Sequence, residues 1–117
     1  MATDDLPGLV IHVSGGAEDD WRTALRYAAN FVAADSTRRV DVVVNGPALD
    51  LVVADSSLAP QVNQLSASGF VEFSACANTM NSRSLTPLDL LPATRIVTAA
   101  VLHLAQRQWA GWAYLRP

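Results

Sequence analysis

The chain has one cysteine, no lysine and no long apolar run, and each scarcity removes a class of function. A single thiol, Cys76, cannot close an intrachain disulfide. With only two histidines, His12 and His103, at distant positions, the chain shows no recognised metal-ligand spacing. The eight basic residues are all arginines, scattered along a chain of formal charge -3, so nothing here attracts a phosphate backbone and no nucleic-acid partner is expected. The longest apolar stretch, residues 96–105, is interrupted by Thr98 and His103 and falls short of the ~20 residues that cross a bilayer. No membrane role is expected. The loop Ser14-Gly15-Gly16-Ala17-Glu18-Asp19-Asp20 leads from a strand into a helix, as phosphate loops do. It carries three acids, however, and lacks both GxGxxG and a Walker lysine; no G-x-S-x-G elbow occurs either. Residues 1–5 lack the basic, then apolar layout of a signal peptide, and the expected location is cytoplasmic.

What is present is enough apolar material for one core. At 117 residues and 50% hydrophobic, the chain fits one domain spanning residues 1–117. Only 16% of residues are charged, which leaves apolar surface available for subunit contacts. Residues 9–13 form a β-branched run ended by Ser14-Gly15-Gly16. From Asp20 the period becomes helical through Trp21, Leu25, Ala28 and Val32, with Asp19 and Asp20 placed to cap. Residues 40–45 are a second strand, broken by Gly46-Pro47 before a short apolar helix over 48–53. Leu58, Val62 and Leu65 make another helical stripe that Gly69 stops in the left-handed conformation. Phe70 opens a third strand leading to Cys76, after which the chain runs polar to Thr86-Pro87-Leu88-Asp89, a capping-box pattern with proline at the first helical position. Residues 95–99 predict a fourth strand, Val101, Leu104 and Ala105 a last helix, and residues 112–115 a short terminal strand. Such alternation predicts a mostly parallel five-stranded sheet in a three-layer α/β sandwich.

Cys76 is the leading candidate for chemistry because it lies at the carboxyl end of a buried strand, where open α/β sheets place reactive groups. Two readings stand for it. It is either a nucleophilic thiolate favoured by the amides that follow, around Asn78 and Thr79, or a buried structural thiol. His12, near the end of the first strand, is either a base or cation beside the thiol or a hydrogen-bonded core histidine. Asn45 and Gly46 end the second strand and face the same crevice, as site groups or as turn geometry. His103, mid-helix near Gln106 and Arg107, reads as a solvent or interface residue.

Taken together, His12-Val13, residues 21–30, Val44-Asn45-Gly46-Pro47, Ala75-Cys76-Ala77-Asn78-Thr79-Met80 and Gly111-Trp112-Ala113-Tyr114-Leu115-Arg116-Pro117 resemble the DsrE/DsrF-like family. That family is related to the YchN-like proteins and to sulfur-relay subunits of dissimilatory sulfur oxidation and tRNA thiolation. The resemblance covers nearly the full chain. It implies a flavodoxin-like sandwich assembled as a homotrimer or homohexamer, with Cys76 at an intersubunit crevice and carrying a persulfide. His12, Asn45, Gly46, Asn78 and Thr79 would then support the sulfur, with no metal and no organic cofactor, and sulfur donor and acceptor proteins as partners. The same fold also accommodates a non-enzymatic ligand- or protein-binding module, or a thiol redox sensor. Thr98-Ala99-Ala100-Val101 departs from the small residue and glycine that the family carries before the last helix.

Overall fold

Five β-branched or aromatic runs become five strands, and every neighbouring pair is parallel. The computed structural model describes residues 6–117; the reading of residues 1–5 lies outside them. The strands are β1 (Leu9–Val13), β2 (Val40–Val44), β3 (Val71–Cys76), β4 (Arg95–Val97) and β5 (Ala113–Leu115), in the order β4-β3-β2-β1-β5. The helices are α1 (Glu18–Ala34), α2 (Ala59–Ala67), α3 (Ala77–Ser82) and α4 (Ala100–Trp109), with 3-10 turns at Gly46–Val52 and Pro87–Asp89.

The order of the strands explains why the two faces of the sheet differ. From β1 to β4 the chain steps in one direction, so crossovers of one hand lay α1, the first 3-10 segment, α2 and α3 on one face. From β4 it must travel back past β1 to β5. The same handedness then puts α4 on the opposite face, where it packs against β1, β2 and β3. Alternate strand residues follow suit. Leu9, Ile11 and Val13, Val40, Val42 and Val44, and Val71, Phe73 and Ala75 join Trp21, Leu25, Val62 and Met80 in the larger core. Val10, Val43 and Cys76 point the other way and pack with Ala100, Leu104 and Trp112 in a smaller one. Each fully buried aliphatic side chain here contributes roughly 1.5–3 kcal/mol of transfer free energy, so the larger layer carries most of the stability and α4 is held by less.

The structure corrects several sequence expectations. Helix α1 begins at Glu18, and Ala17 at its cap makes no side-chain bond; Asp19 and Asp20 lie inside the first turn, where they favour the helix dipole without capping. The apolar segment after Asn45 is a 3-10 helix over Gly46–Val52, with Pro47 in its first turn. Strand β2 stops at Val44, so Asn45 lies just beyond it, and β3 begins at Val71. Strand β4 ends at Val97, because Thr98 and Ala99 leave the sheet to start α4. β5 begins at Ala113, since Trp112 is spent in the small core. The polar run after Cys76 is helical: Ala77–Ser82 buries Met80 against the larger core. Gly69 does end α2 with φ 82°, and the Thr86 amide donates to the Asp89 carboxylate at 2.7 Å.

Candidate functional site

Cys76 is the last residue of β3, and its neighbour in the sheet is Val97, the last residue of β4. Strand β3 passes directly into α3 on one face, and the short loop after β4 leads to α4 on the other. Adjacent strands whose connections part to opposite faces leave a crevice at their carboxyl ends, and the thiol sits at that divergence. Amides from both connections therefore converge on one sulfur. The Ala100 N–H donates to Cys76 Sγ at 3.3 Å. Burial pushes the thiol up, but the amides of Thr79, Ala100 and Asn78 and the Thr79 hydroxyl outweigh it and hold the Cys76 pKa below the ordinary thiol value. The residue is only 5% exposed.

Thr79 links the sulfur to the neighbouring strand. Its Oγ1 accepts from the Gly46 N–H at 3.0 Å. Gly46 adopts φ 56°, a conformation that glycine takes without the steric cost borne by other residues, and this turns its amide toward α3. Asn78, Thr79, Gly46 and Cys76 are thus brought together.

His12 is placed differently from the expectation of a group beside the thiol. It lies on β1, with β2 intervening between it and β3. Its Nε2 is 2.9 Å from Asn45 Oδ1 and its Nδ1 is 2.8 Å from the Tyr114 hydroxyl. With the amide oxygen as acceptor, Nε2 carries the hydrogen of that bond. His12 joins Asn45, just past β2, to Tyr114 on β5 in a polar chain, and it lines a cavity of about 120 Å³ together with Ser14, Asp20 and Arg116. Asn45 adjoins both groups: it follows Val44, which pairs with Ala75, and so comes level with Cys76 on the neighbouring strand.

Sequence reasoning missed a cluster under α4. His103, read as a solvent or interface residue, is turned inward: its Nε2 donates to Asp41 Oδ2 at 2.7 Å. Arg107 Nε donates to the same oxygen at 3.0 Å, and the Ser74 hydroxyl donates to Asp41 Oδ1 at 2.7 Å. Arg107 Nη2 reaches Glu72 at 2.8 Å, Arg95 pairs with the other Glu72 oxygen, and the Arg107 guanidinium lies over the Trp112 ring at 4.1 Å. Asp41 is fully buried. Burial raises its pKa, but the bonds from His103 and Ser74 and the charge of Arg107 prevail, and the carboxyl is held below its ordinary value. The signal was an aspartate inside the run Val40-Asp41-Val42-Val43-Val44, matched by His103 and Arg107 one helical turn apart. A cavity of about 260 Å³ lined by Val97, Thr98, Ala99, Leu102, His103 and Gln106 lies between this cluster and the β4–α4 joint.

Among the described residues, no three His, Cys, Asp or Glu side chains gather in a metal-holding group, and no helix is long and apolar enough to cross a membrane. The model of the DsrE/DsrF-like family matches residues 8–117. No curated protein matches the chain. Among solved structures, it is similar to the protein of unknown function MTH1491 from Methanobacterium thermoautotrophicum, with 29% identity, TM-score 0.90 and coverage of 94% of this chain and 98% of that one. It shares its fold with the ychN protein from E. coli, at 16% identity, TM-score 0.80 and coverage of 96% and 100% respectively. It also shares it with the protein BT1422 of unknown function from Bacteroides thetaiotaomicron, at 15% identity, TM-score 0.77 and coverage of 95% of each chain.

Proposed function

Because the chain belongs to the DsrE/DsrF-like family, we propose that it handles sulfur, with Cys76 accepting a sulfane sulfur as a persulfide and passing it to a thiol of a partner protein. The observation that carries this reading is the donation of the Ala100 amide to Cys76 Sγ, in a setting that favours the thiolate. In the first step the Cys76 thiolate attacks the outer sulfur of a donor persulfide. A new S–S bond forms on Cys76, the donor's S–S bond breaks, and the donor leaves as a thiolate. In the second step an acceptor thiolate attacks the outer sulfur on Cys76, whose own sulfur leaves as thiolate. Neither step changes the overall count of electrons. A low thiol pKa assists both steps, since it supplies the attacking anion in the first and improves the leaving group in the second.

The donor and acceptor must bring their own sulfur, because the chain has no second cysteine to resolve the persulfide. The site residues that act on the sulfur in this scheme are Asn78, Thr79 and Ala100, with Gly46 behind Thr79 and Asn45 at the rim. The setting is the cytoplasm, where thiols stay reduced. The assembly is a homotrimer or homohexamer. The outer side of α4 supports it: Val101 and Trp109 are 76% and 78% exposed, and the one charged side chain of the helix, Arg107, is spent inward.

The test is intact mass after incubation with a sulfane-sulfur donor. The wild type is expected to gain one sulfur atom, released by a reducing thiol, and Cys76→Ser to gain none while keeping its fold. A serine variant that still loads sulfur rules the mechanism out. The low exposure of Cys76 favours a second reading, in which the thiol merely lines a ligand crevice. Thermal stabilisation by a small molecule that persists in Cys76→Ala would select that reading.

A further inference from the structure

Helix α4 runs back along β3, and three contacts at successive levels tie the two together. At the top, the first amide of the helix, Ala100 N–H, meets Cys76 Sγ. One turn down, His103 meets Asp41, which Ser74 of β3 also holds. Two turns down, Arg107 bridges Asp41 and Glu72, partners in the β2–β3 register. Positions 100, 103 and 107 share one helical face, and positions 72, 74 and 76 share one strand face, so the contacts are in register along both elements.

We infer that Asp41, acting through His103 and Arg107, positions the Ala100 amide on Cys76 and so regulates how reactive the thiol is. The inference rests on the reading that Cys76 is the reactive group. The buried apolar side chains of α4 are few: Ala100 and Leu104, which pack with Trp112 from beyond the helix on Val10 and Val43. Such contacts are non-directional and tolerate small slides of the helix. The Asp41 carboxylate is directional. It takes both donors of α4 on one oxygen at fixed distances, and the hydroxyl of Ser74 holds its other oxygen. The charged and titratable groups facing this carboxylate are Arg107 and His103 from α4, with Glu72 from β3 paired to Arg95 from β4 and to Arg39 at 3.9 Å. Asp41, His103 and Arg107 are positioning residues that never touch the sulfur.

The experiment is the rate of Cys76 alkylation by iodoacetamide across pH, in the folded wild type and in His103→Ala, His103→Gln and Val62→Ala. His103→Ala is expected to raise the midpoint and slow labelling at pH 7 about threefold or more, as a midpoint rise of half a unit implies. His103→Gln, which keeps an N–H for Asp41, should restore most of the rate. Val62→Ala weakens the opposite core and should leave the midpoint in place. Arg107→Ala carries the same expectation as His103→Ala if the latter does not fold. A folded His103→Ala or Arg107→Ala protein with the wild-type midpoint overturns the inference, as does an equal shift in Val62→Ala. Because alkylation needs no sulfur donor, the outcome is separate from sulfur loading. A wild type that fails to load sulfur overturns the carrier reading and leaves the clamp measurable.

Discussion

The hydroxyl of Thr79 accepts the Gly46 amide at 3.0 Å, which leaves its own hydrogen for the Cys76 sulfur. A hydroxyl polarised by accepting one hydrogen bond is a better donor in the next. Thr79→Val keeps the shape and removes the donor. The alkylation midpoint of Thr79→Val should therefore rise, while Thr79→Ser stays near the wild type. An unchanged midpoint in the valine variant would remove Thr79 from the site.

Thiolate supply and access are separable in the wild type. The folded midpoint of Cys76 should lie below that of the same protein unfolded, because the amides of Thr79, Ala100 and Asn78 favour the anion. The plateau rate above the midpoint should nonetheless be slower in the folded protein, since 5% exposure limits approach of the reagent. A folded midpoint equal to or above the unfolded one would mean that burial, which raises the pKa, dominates.

Asp41 makes stability depend on acid. Its carboxyl is held below its ordinary value of 3.8, so it contributes stability that is fully present above that pH and is lost as pH falls through the lower, folded-state value. Asp41→Asn should flatten the fall of stability below about pH 4. At pH 7 it should cost about 3–5 kcal/mol, because it breaks a buried pair and leaves Arg107 to Glu72 and the Trp112 ring. Urea unfolding midpoints from pH 7 down to pH 3 measure both effects.

In the proposed assembly the outer face of α4 is the surface that meets a neighbouring subunit. Introducing Val101→Glu and Trp109→Glu buries charge at any interface formed there and should convert an assembly made through it to smaller species. Light scattering coupled to size exclusion reads the mass directly. An unchanged mass would place the assembly surface elsewhere.

The strands at 9–13, 40–44 and 71–76 were legible because their valines and neighbouring apolar residues form short runs bounded by turns, a local property of the chain. Helix α3 was not. Ala77-Asn78-Thr79-Met80-Asn81-Ser82 has a single apolar anchor large enough to mark a face, and Met80 takes on meaning only once the larger core is there to receive it. His103 was misread for a related cause. On its own helix it sits beside Gln106 and Arg107 like a surface residue, and its partner Asp41 is 62 positions away.

What the sequence alone determined is the alternation of strands with helical stripes, which compels a parallel sheet, and the place of Cys76 at a strand's carboxyl end. Whether that thiol is electrostatically favoured was decided only in three dimensions. The amide of Ala100 reaches it from 24 residues away because the chain reverses direction after β4, and one handedness of crossover then sends α4 to the other face. Hydrophobic period is a property of neighbours along the chain, whereas the environment of a sulfur is a sum over groups that only the crossover brings within bonding distance.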